Sequence, residues 1–244
     1  MNVIAHRGAS AYAPENTFAA FELARKQNAY GIELDAQRTA DGNIVVIHDF
    51  TLDRTSNGSG AVASKTLAEL RALDFGGWFA GGDGFSGEKI PTLDEVLDYI
   101  AGNNMVLNIE LKVQPTDYNA GMIKLAADKI KAAGVVDRII VSSFDHRSLV
   151  DIKEYFPALK TGILYSCNMY NVWDYAAAFG ADFIHPMHQN LTADTIAGCR
   201  ARGIGVNAWT ADASDDIKRL RDIGADAVIT NRPDEALACI NAAG

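Results

Sequence analysis

The sequence predicts an α/β protein built as a (β/α)8 TIM barrel, with an antiparallel hairpin extension and a small insertion after the second barrel strand. Three observations predict it. Short β-branched runs alternate with helical periodicity, and parallel strand returns need crossovers that helices supply. The length of 244 residues suits a barrel that needs ~250. One strand too many has a local cause, an Asp41-Gly42 pair that reads as a hairpin turn.

Strands are expected near 2–6, 30–36, 44–48, 105–112, 138–143, 160–164, 182–185, 204–208 and 226–229, where aliphatic runs sit between turn residues. Helices are expected over 16–27, 66–73, 92–101, 117–133, 146–155, 171–179, 192–202, 213–223 and 233–242, several opening at caps or prolines such as Pro91-Thr92, Thr192 and Pro233. Pairing 30–40 with 43–50 as a hairpin leaves eight strands for the barrel. A two-residue turn at Asp41-Gly42 sets Ala40 opposite Asn43 and Asp35 opposite His48, and opposed residues share a face. Glu33, two residues before Asp35, lies on that face as well. Between Phe50 and Pro91 the pattern loosens through Ser56-Asn57-Gly58-Ser59-Gly60 and Gly76-Gly77 to Gly87 around one short helix. Residues 50–91 are therefore expected as an inserted loop region that shapes a binding site, too poor in apolar residues for a domain of its own. Residues 1–244 are expected to form a single domain.

Composition, with 48% hydrophobic and 22% charged residues, is that of a globular chain. A formal charge of -9 opposes binding to nucleic acid or to an anionic membrane surface, so a small anionic ligand would need local cations. Cys167, Cys199 and Cys239 are odd in number and far apart, which argues against a disulfide framework or structural zinc and for a reducing compartment. Met1-Asn2-Val3-Ile4-Ala5 leaves no room for a signal segment before His6, and no apolar run approaches a membrane span. The cytoplasm is the expected location, without stable membrane insertion.

Active sites of β/α barrels sit at the C-terminal ends of the strands. His6 and Arg7 end the first strand, Glu33 and Asp35 the second, Glu110 and Lys112 the third, and His48 joins them through the hairpin. Three carboxylates repel one another unless a cation lies between them, and oxygen-only ligation suits Mg2+ or Ca2+. The rival reading pairs these acids with Arg7 and Lys112 alone. His6 and His48 titrate near neutral pH and suit acid-base work, while Arg7 and Lys112 suit phosphate oxygens. Trp209, ending the seventh strand, is favoured over Phe144 as an aromatic cover for a small organic group, with core packing as the competing account. His146 reads as a helix-start residue, His185 as a strand end that could face the mouth, and His188 as a loop residue. Asp49, Asp53 and Arg54 either orient His48 or are solvated.

His6-Arg7-Gly8 with Pro14-Glu15-Asn16-Thr17, Glu33-x-Asp35, His48-Asp49 with Leu52-x-Arg54-Thr55, and Asn108-Ile109-Glu110-Leu111-Lys112 occur in this order. Ser142-Ser143-Phe144, Trp209-Thr210 and Thr230-x-x-Pro233 continue the series almost to the C-terminus. The set resembles the glycerophosphodiester phosphodiesterase family of phospholipase C-like barrels. That resemblance implies a barrel with an insertion after its second strand, His6 and His48 as the acid-base pair, Glu33, Asp35 and Glu110 as ligands of one divalent cation, and Arg7 and Lys112 as phosphate contacts. Asn231 departs from it, since such proteins commonly carry aspartate after the threonine of the last strand. The expected activity is metal-dependent hydrolysis of a small glycerophosphodiester to glycerol 3-phosphate and an alcohol. Rivals are a lysophospholipid-directed phosphodiesterase of the same superfamily and a non-catalytic phosphate-binding barrel.

Overall fold

Along the second strand every residue from Gly31 to Gln37 is buried, polar Glu33, Asp35 and Gln37 alternating with aliphatic Ile32, Leu34 and Ala36. A strand covered on both faces belongs inside a parallel sheet, and the alternation sends its acids to one face and its aliphatics to the other. The computed structural model describes residues 1–80, 83–112 and 120–242. Its strands are β1 (Asn2–His6), β2 (Gly31–Arg38), β3 (Ile44–Val46), β4 (Val106–Leu111), β5 (Ile139–Ser143), β6 (Lys160–Tyr165), β7 (Phe183–Pro186), β8 (Gly205–Ala208) and β9 (Ala227–Thr230). Strands β1, β9, β8, β7, β6, β5, β4 and β2 follow one another in parallel pairs, and a β1–β2 pairing closes the ring. β3 lies outside it, antiparallel to β2.

The helices are α1 (Phe18–Lys26), α2 (Leu67–Arg71), α3 (Leu93–Ala101), α4 (Ala120–Ala133), α5 (His146–Tyr155), α6 (Val172–Ala178), α7 (Ala193–Arg200), α8 (Ser214–Ile223) and α9 (Pro233–Asn241). Their starts follow local chemistry. Thr92 and Glu95 form a reciprocal capping box at α3, Thr192 caps α7, and Pro233 opens α9. Residues 117–119 of the expected fourth helix, Gly81 and Gly82 of the glycine-rich stretch, and residues 243–244 lie outside the described residues. The main core joins the outward aliphatics of the barrel, such as Leu34, Ile109 and Val141, to inward faces of helices, such as Phe21, Leu97 and Ile130.

The hairpin register differs from the expected one. β2 and β3 pair Arg38 with Ile44 and Ala36 with Val46, which brings Ile47, not His48, level with Asp35, and the Ile47 N–H donates to the Asp35 carbonyl at 2.9 Å. The turn spans three residues instead of two. Thr39 and Asn43 close it, and Gly42 takes a left-handed φ of +83° as its last residue, the form of a tight turn followed by a glycine bulge. The Thr39 hydroxyl holds Asp41 at 2.6 Å and accepts from the Asn43 N–H at 2.8 Å, which selects the longer loop. Beyond β3, Leu52, Val62, Leu70, Phe75 and Ile90 of the inserted region build a second apolar cluster with Val45 and Ile47.

His185 on β7 is fully buried inside the barrel and does not reach the mouth, contrary to one sequence expectation. Gly162 makes room for it, since a Cβ there would meet the ring nitrogen at 2.5 Å. Burial alone holds this imidazole down to about 3 from the ordinary 6.5. The unfolded chain protonates His185 as pH falls below 6.5 and the folded chain does not, so this contribution is whole above 6.5 and is lost toward about 3. Urea unfolding of wild type and His185→Gln should show it: between about pH 7.5 and about pH 5 the wild type loses roughly 2 kcal/mol relative to the variant. A constant gap would show that folded His185 takes up its proton over the same pH range as the unfolded chain.

Candidate active site at the barrel mouth

Three adjacent strands assemble the site. In the β1–β2 pair His6 lies level with Glu33, and in the β2–β4 pair Glu33 lies level with Asn108 and Asp35 with Glu110. The parallel register therefore brings together Glu33 and Asp35 of the second barrel strand and Glu110 of the third. One carboxylate oxygen from each of Glu33, Asp35 and Glu110 lies within 4.8 Å of the others, and the three residues are 4%, 1% and 8% exposed. Water cannot screen their repulsion at that burial.

Two cations answer them in part. Lys112 Nζ stands 2.5 Å from Glu110 Oε1 and 3.1 Å from Asp35 Oδ1. Arg7 Nε lies 3.3 Å from Asp35 Oδ2, while its backbone N–H donates to Glu33 Oε2 at 3.1 Å. That amide points inward because Arg7 adopts a left-handed φ of 56°, a conformation of some cost for a side-chain-bearing residue and one that marks functional sites. Arg7 is also shared with Glu15 at 2.8 Å, so the positive charge falls short. Burial, then Asp35 and Glu110, push the Glu33 carboxyl far above the usual carboxylate range. Burial and Asp35 push Glu110 up to about 7. For Asp35 burial acts upward, but Lys112 and Arg7 outweigh it and hold the group well below its ordinary value. Asp35 Oδ1 is buried and, despite the nearby Lys112 Nζ, receives no directed hydrogen bond among the described residues. The donor set is all oxygen, short of positive charge and partly unpartnered, which fits a hard divalent cation.

The imidazoles are held by their Nδ1 atoms. His6 Nδ1 meets Asn231 Oδ1 at 2.7 Å, leaving Nε2 4.0 Å from Glu33 Oε2. His48 Nδ1 meets Asp49 Oδ1 at 2.6 Å, and Arg54 Nε donates to Asp49 Oδ2 at 2.7 Å. Gln37 turns the chain after β3: its amide reaches the carbonyls of Ile47, His48 and Asp49 at 2.8, 3.0 and 2.8 Å. This bend, not a strand pairing, delivers His48. Burial lowers both imidazoles; Arg7 adds to the fall of His6, to about 4, whereas Asp35 and Asp49 resist that of His48.

A cleft of about 460 Å³, counting space open to solvent, gathers these groups. His6, Arg7, Glu33, His48, Glu110 and Lys112 line its polar side with Asn108, while Asp35 lies beneath. Trp209, Phe144, Leu164 and Ile229 form the apolar wall. Trp209 and Phe144 meet edge to face at 5.6 Å, and the Trp209 indole N–H donates to the His185 carbonyl at 2.7 Å. His146 binds the Leu164 carbonyl at 2.8 Å, and His188 is buried beside Arg219 and Asp216, neither lining the cleft.

The model of the glycerophosphoryl diester phosphodiesterase family matches residues 6–235. The chain belongs to this family. It is 42% identical over 242 residues to the glycerophosphodiester phosphodiesterase of Caldanaerobacter subterraneus subsp. tengcongensis, covering 99% of this chain and 98% of that one. Among solved structures, the glycerophosphodiester phosphodiesterase of Agrobacterium tumefaciens aligns with a TM-score of 0.83 at 32% identity, covering 98% and 99% of the two chains. An Oleispira antarctica phosphodiesterase in complex with the product sn-glycerol-3-phosphate aligns with a TM-score of 0.85 at 30% identity, covering 99% and 97%. Family membership makes the chain a phosphodiesterase.

Within the framework of this phosphodiesterase family, sequence reasoning left the roles of Asn16 and Glu15 unassigned and offered Asp49 and Arg54 only as residues that orient His48 or are solvated. Asn16, in a left-handed turn of φ 59°, donates from Nδ2 to Asp35 Oδ2 at 2.8 Å. Arg54 grips both Glu15 oxygens, at 2.7 and 2.8 Å, so ion pairs run from Asp49 through Arg54 and Glu15 to Arg7. Asp53 bonds the Gly60 N–H at 3.2 Å instead of joining that chain. Charge pairing and cation demand coexist here, so removing one cation should be felt. Lys112→Met leaves Asp35 and Glu110 under-compensated, and urea unfolding in the presence of a chelator should show a loss of about 3 kcal/mol. A loss below about 1 kcal/mol would mean that the acids do not depend on Lys112.

Proposed function

We propose that the cleft hydrolyses glycerophosphodiesters, such as the head-group diester left when a phospholipid loses both acyl chains, to glycerol 3-phosphate and an alcohol. One divalent cation, Mg2+ or Ca2+, and the paired imidazoles of His6 and His48 carry the reaction, with residues 1–244 acting as one catalytic unit. The observation that carries this reading is the pair of imidazoles, each tied back through Nδ1, on the rim of a cleft that also holds the carboxylate triad, Arg7 and Lys112. The product bound to the Oleispira phosphodiesterase supports the substrate class.

Glu33, Asp35 and Glu110 would hold the cation, whose chemistry is to stabilise charge on the phosphoryl oxygens. Arg7 offers a planar fork and Lys112 a point charge to the same oxygens. The partners of the two imidazoles differ. A carboxylate, Asp49, backs His48 and favours its imidazolium, while a neutral amide backs His6. His6 Nε2 is therefore assigned to take the proton of the nucleophile as the new P–O bond forms, and His48 Nε2 to deliver its proton to the departing alkoxide as the old bond breaks. A phosphodiester anion against Arg7 and Lys112 offsets the push that these cations exert on His48. The nucleophile is water or the neighbouring glycerol hydroxyl. The second route gives a cyclic phosphate that water opens with the imidazole roles exchanged.

Trp209 and Phe144 cover the glycerol or alcohol part of the substrate. Their apolar wall also suits a lysophospholipid, the second reading, which a substrate panel separates. Three free cysteines support a reducing, cytoplasmic location. Among the described residues no helix is long and apolar enough to cross a membrane.

Purified protein with Mg2+ or Ca2+ should release glycerol 3-phosphate from glycerophosphocholine or glycerophosphoethanolamine and stop when the metal is chelated. His6→Ala and His48→Ala should each lower kcat by roughly 10²- to 10⁴-fold. No turnover across a panel of diesters, or variants equal to wild type, would reject the reading.

A further inference from the structure

Behind His6 lies a polar relay that touches neither the cleft nor the carboxylate triad. His6 Nδ1 meets Asn231 Oδ1 at 2.7 Å, and Asn231 Nδ2 donates to Asp212 Oδ2 at 2.6 Å. The other Asp212 oxygen accepts from the Thr230 hydroxyl and from the Asn231 backbone N–H, both at 2.8 Å. The Ser10 hydroxyl lies 2.7 Å from both Asn231 Oδ1 and the His6 carbonyl. Asn231 follows β9 and Asp212 follows β8, so two neighbouring strand ends brace a residue of β1.

The chemistry of this chain leaves one arrangement. An ionised carboxylate only accepts, so Asn231 must turn its NH2 toward Asp212. Its oxygen then faces His6, and that oxygen also only accepts. The neutral imidazole must carry its hydrogen on Nδ1, which leaves the lone pair on Nε2, toward Glu33 and the cleft. We propose that Asn231 and Asp212 are a positioning pair that fixes the tautomer and ring direction of His6. Asp212 acts at one remove, its charge setting which way the amide of Asn231 points. This inference rests on the reading of His6 as the base for its kinetic consequence, though the tautomer itself can be observed without turnover.

An isosteric exchange separates this role from simple support. In Asp212→Asn the new side chain keeps its oxygen for Thr230 Oγ1 and the Asn231 N–H and turns its NH2 toward Asn231. Asn231 flips to accept it and presents its own NH2 to His6 Nδ1. The His6 hydrogen moves to Nε2, and the lone pair leaves the cleft. A wrong-tautomer histidine of this kind elsewhere lowers kcat by about 10⁴-fold, and a fall on the order of 10³-fold with KM within about threefold is expected here. The double variant Asp212→Asn, Asn231→Asp reverses the donor order. Its carboxylate, now beside His6, accepts from both sides, the Nδ1–H tautomer returns, and kcat recovers to within about tenfold of wild type.

Nitrogen-15 spectra of histidine-labelled protein at mildly alkaline pH, with the His6 signals assigned by their loss in His6→Gln, give the direct test. Expected are Nδ1–H in wild type, Nε2–H in Asp212→Asn, and Nδ1–H again in the double variant. An Asp212→Asn spectrum that keeps Nδ1–H, or a double variant that keeps Nε2–H, overturns the proposal. Should Asp212→Asn fail to fold, Asn231→Ala replaces it. That variant lacks the acceptor and should give a mixture of His6 tautomers, so an unmixed Nδ1–H signature there overturns the proposal equally. A tautomer that switches while kcat stays constant supports the relay and removes His6 from the role of base, so the two readings fail separately.

Discussion

Mutual repulsion of three buried carboxylates is the constraint on which the rest of the site depends. Parallel pairing sets Asp35 level with Glu110, and Glu33 two residues earlier on the same inward face. Their oxygens lie within 4.8 Å of one another at less than a tenth exposure. Nothing in an apolar barrel tolerates that arrangement unaided. Lys112 reaches two of the acids, Arg7 contributes both its guanidinium and a strained backbone N–H, and Asn16 clasps Asp35 from the first loop. The supports come from the loop after β1 and from the residue just past β4, so one cluster ties together segments distant in the sequence.

These supports leave the cluster short of positive charge. Among the described residues Glu33 takes no charged side-chain donor and is the acid driven furthest upward, whereas Asp35, flanked by Lys112 and Arg7, is held down. Such an uneven triad suits a catalytic centre better than a structural ion-pair network, which would close its charges locally. The same logic extends to the imidazoles. Asp49 and its Arg54 anchor give His48 a charged partner, while Asn231 gives His6 a neutral one, so two chemically identical side chains stand in different electrostatic surroundings.

The barrel was legible because its signals are local and repeated: alternating acids and aliphatics on β2 and β4, caps at Thr92 and Thr192, and Pro233 at a helix start. Glu33, Asp35, Glu110, Arg7, Lys112, His6 and His48 could be gathered because strand alternation and the mouth rule act on each strand separately. The hairpin register was misread by one residue, since the Thr39 side chain favours a three-residue loop that the Asp41-Gly42 pair does not announce. His48 still arrives, by way of the Gln37 amide and the bend that it holds. His185, Asn231 and Asp212 depend on contacts made far along the sequence, and nothing in the residues flanking them signals such partners.

The central claim is that one divalent cation sits among Glu33, Asp35 and Glu110. Crystals grown with Mn2+ and recorded where manganese scatters anomalously test it most directly. The expected result is one strong peak with oxygens from all three carboxylates at about 2.0–2.6 Å. A peak held by other residues, or none in crystals of enzyme that turns over under the same conditions, would contradict it.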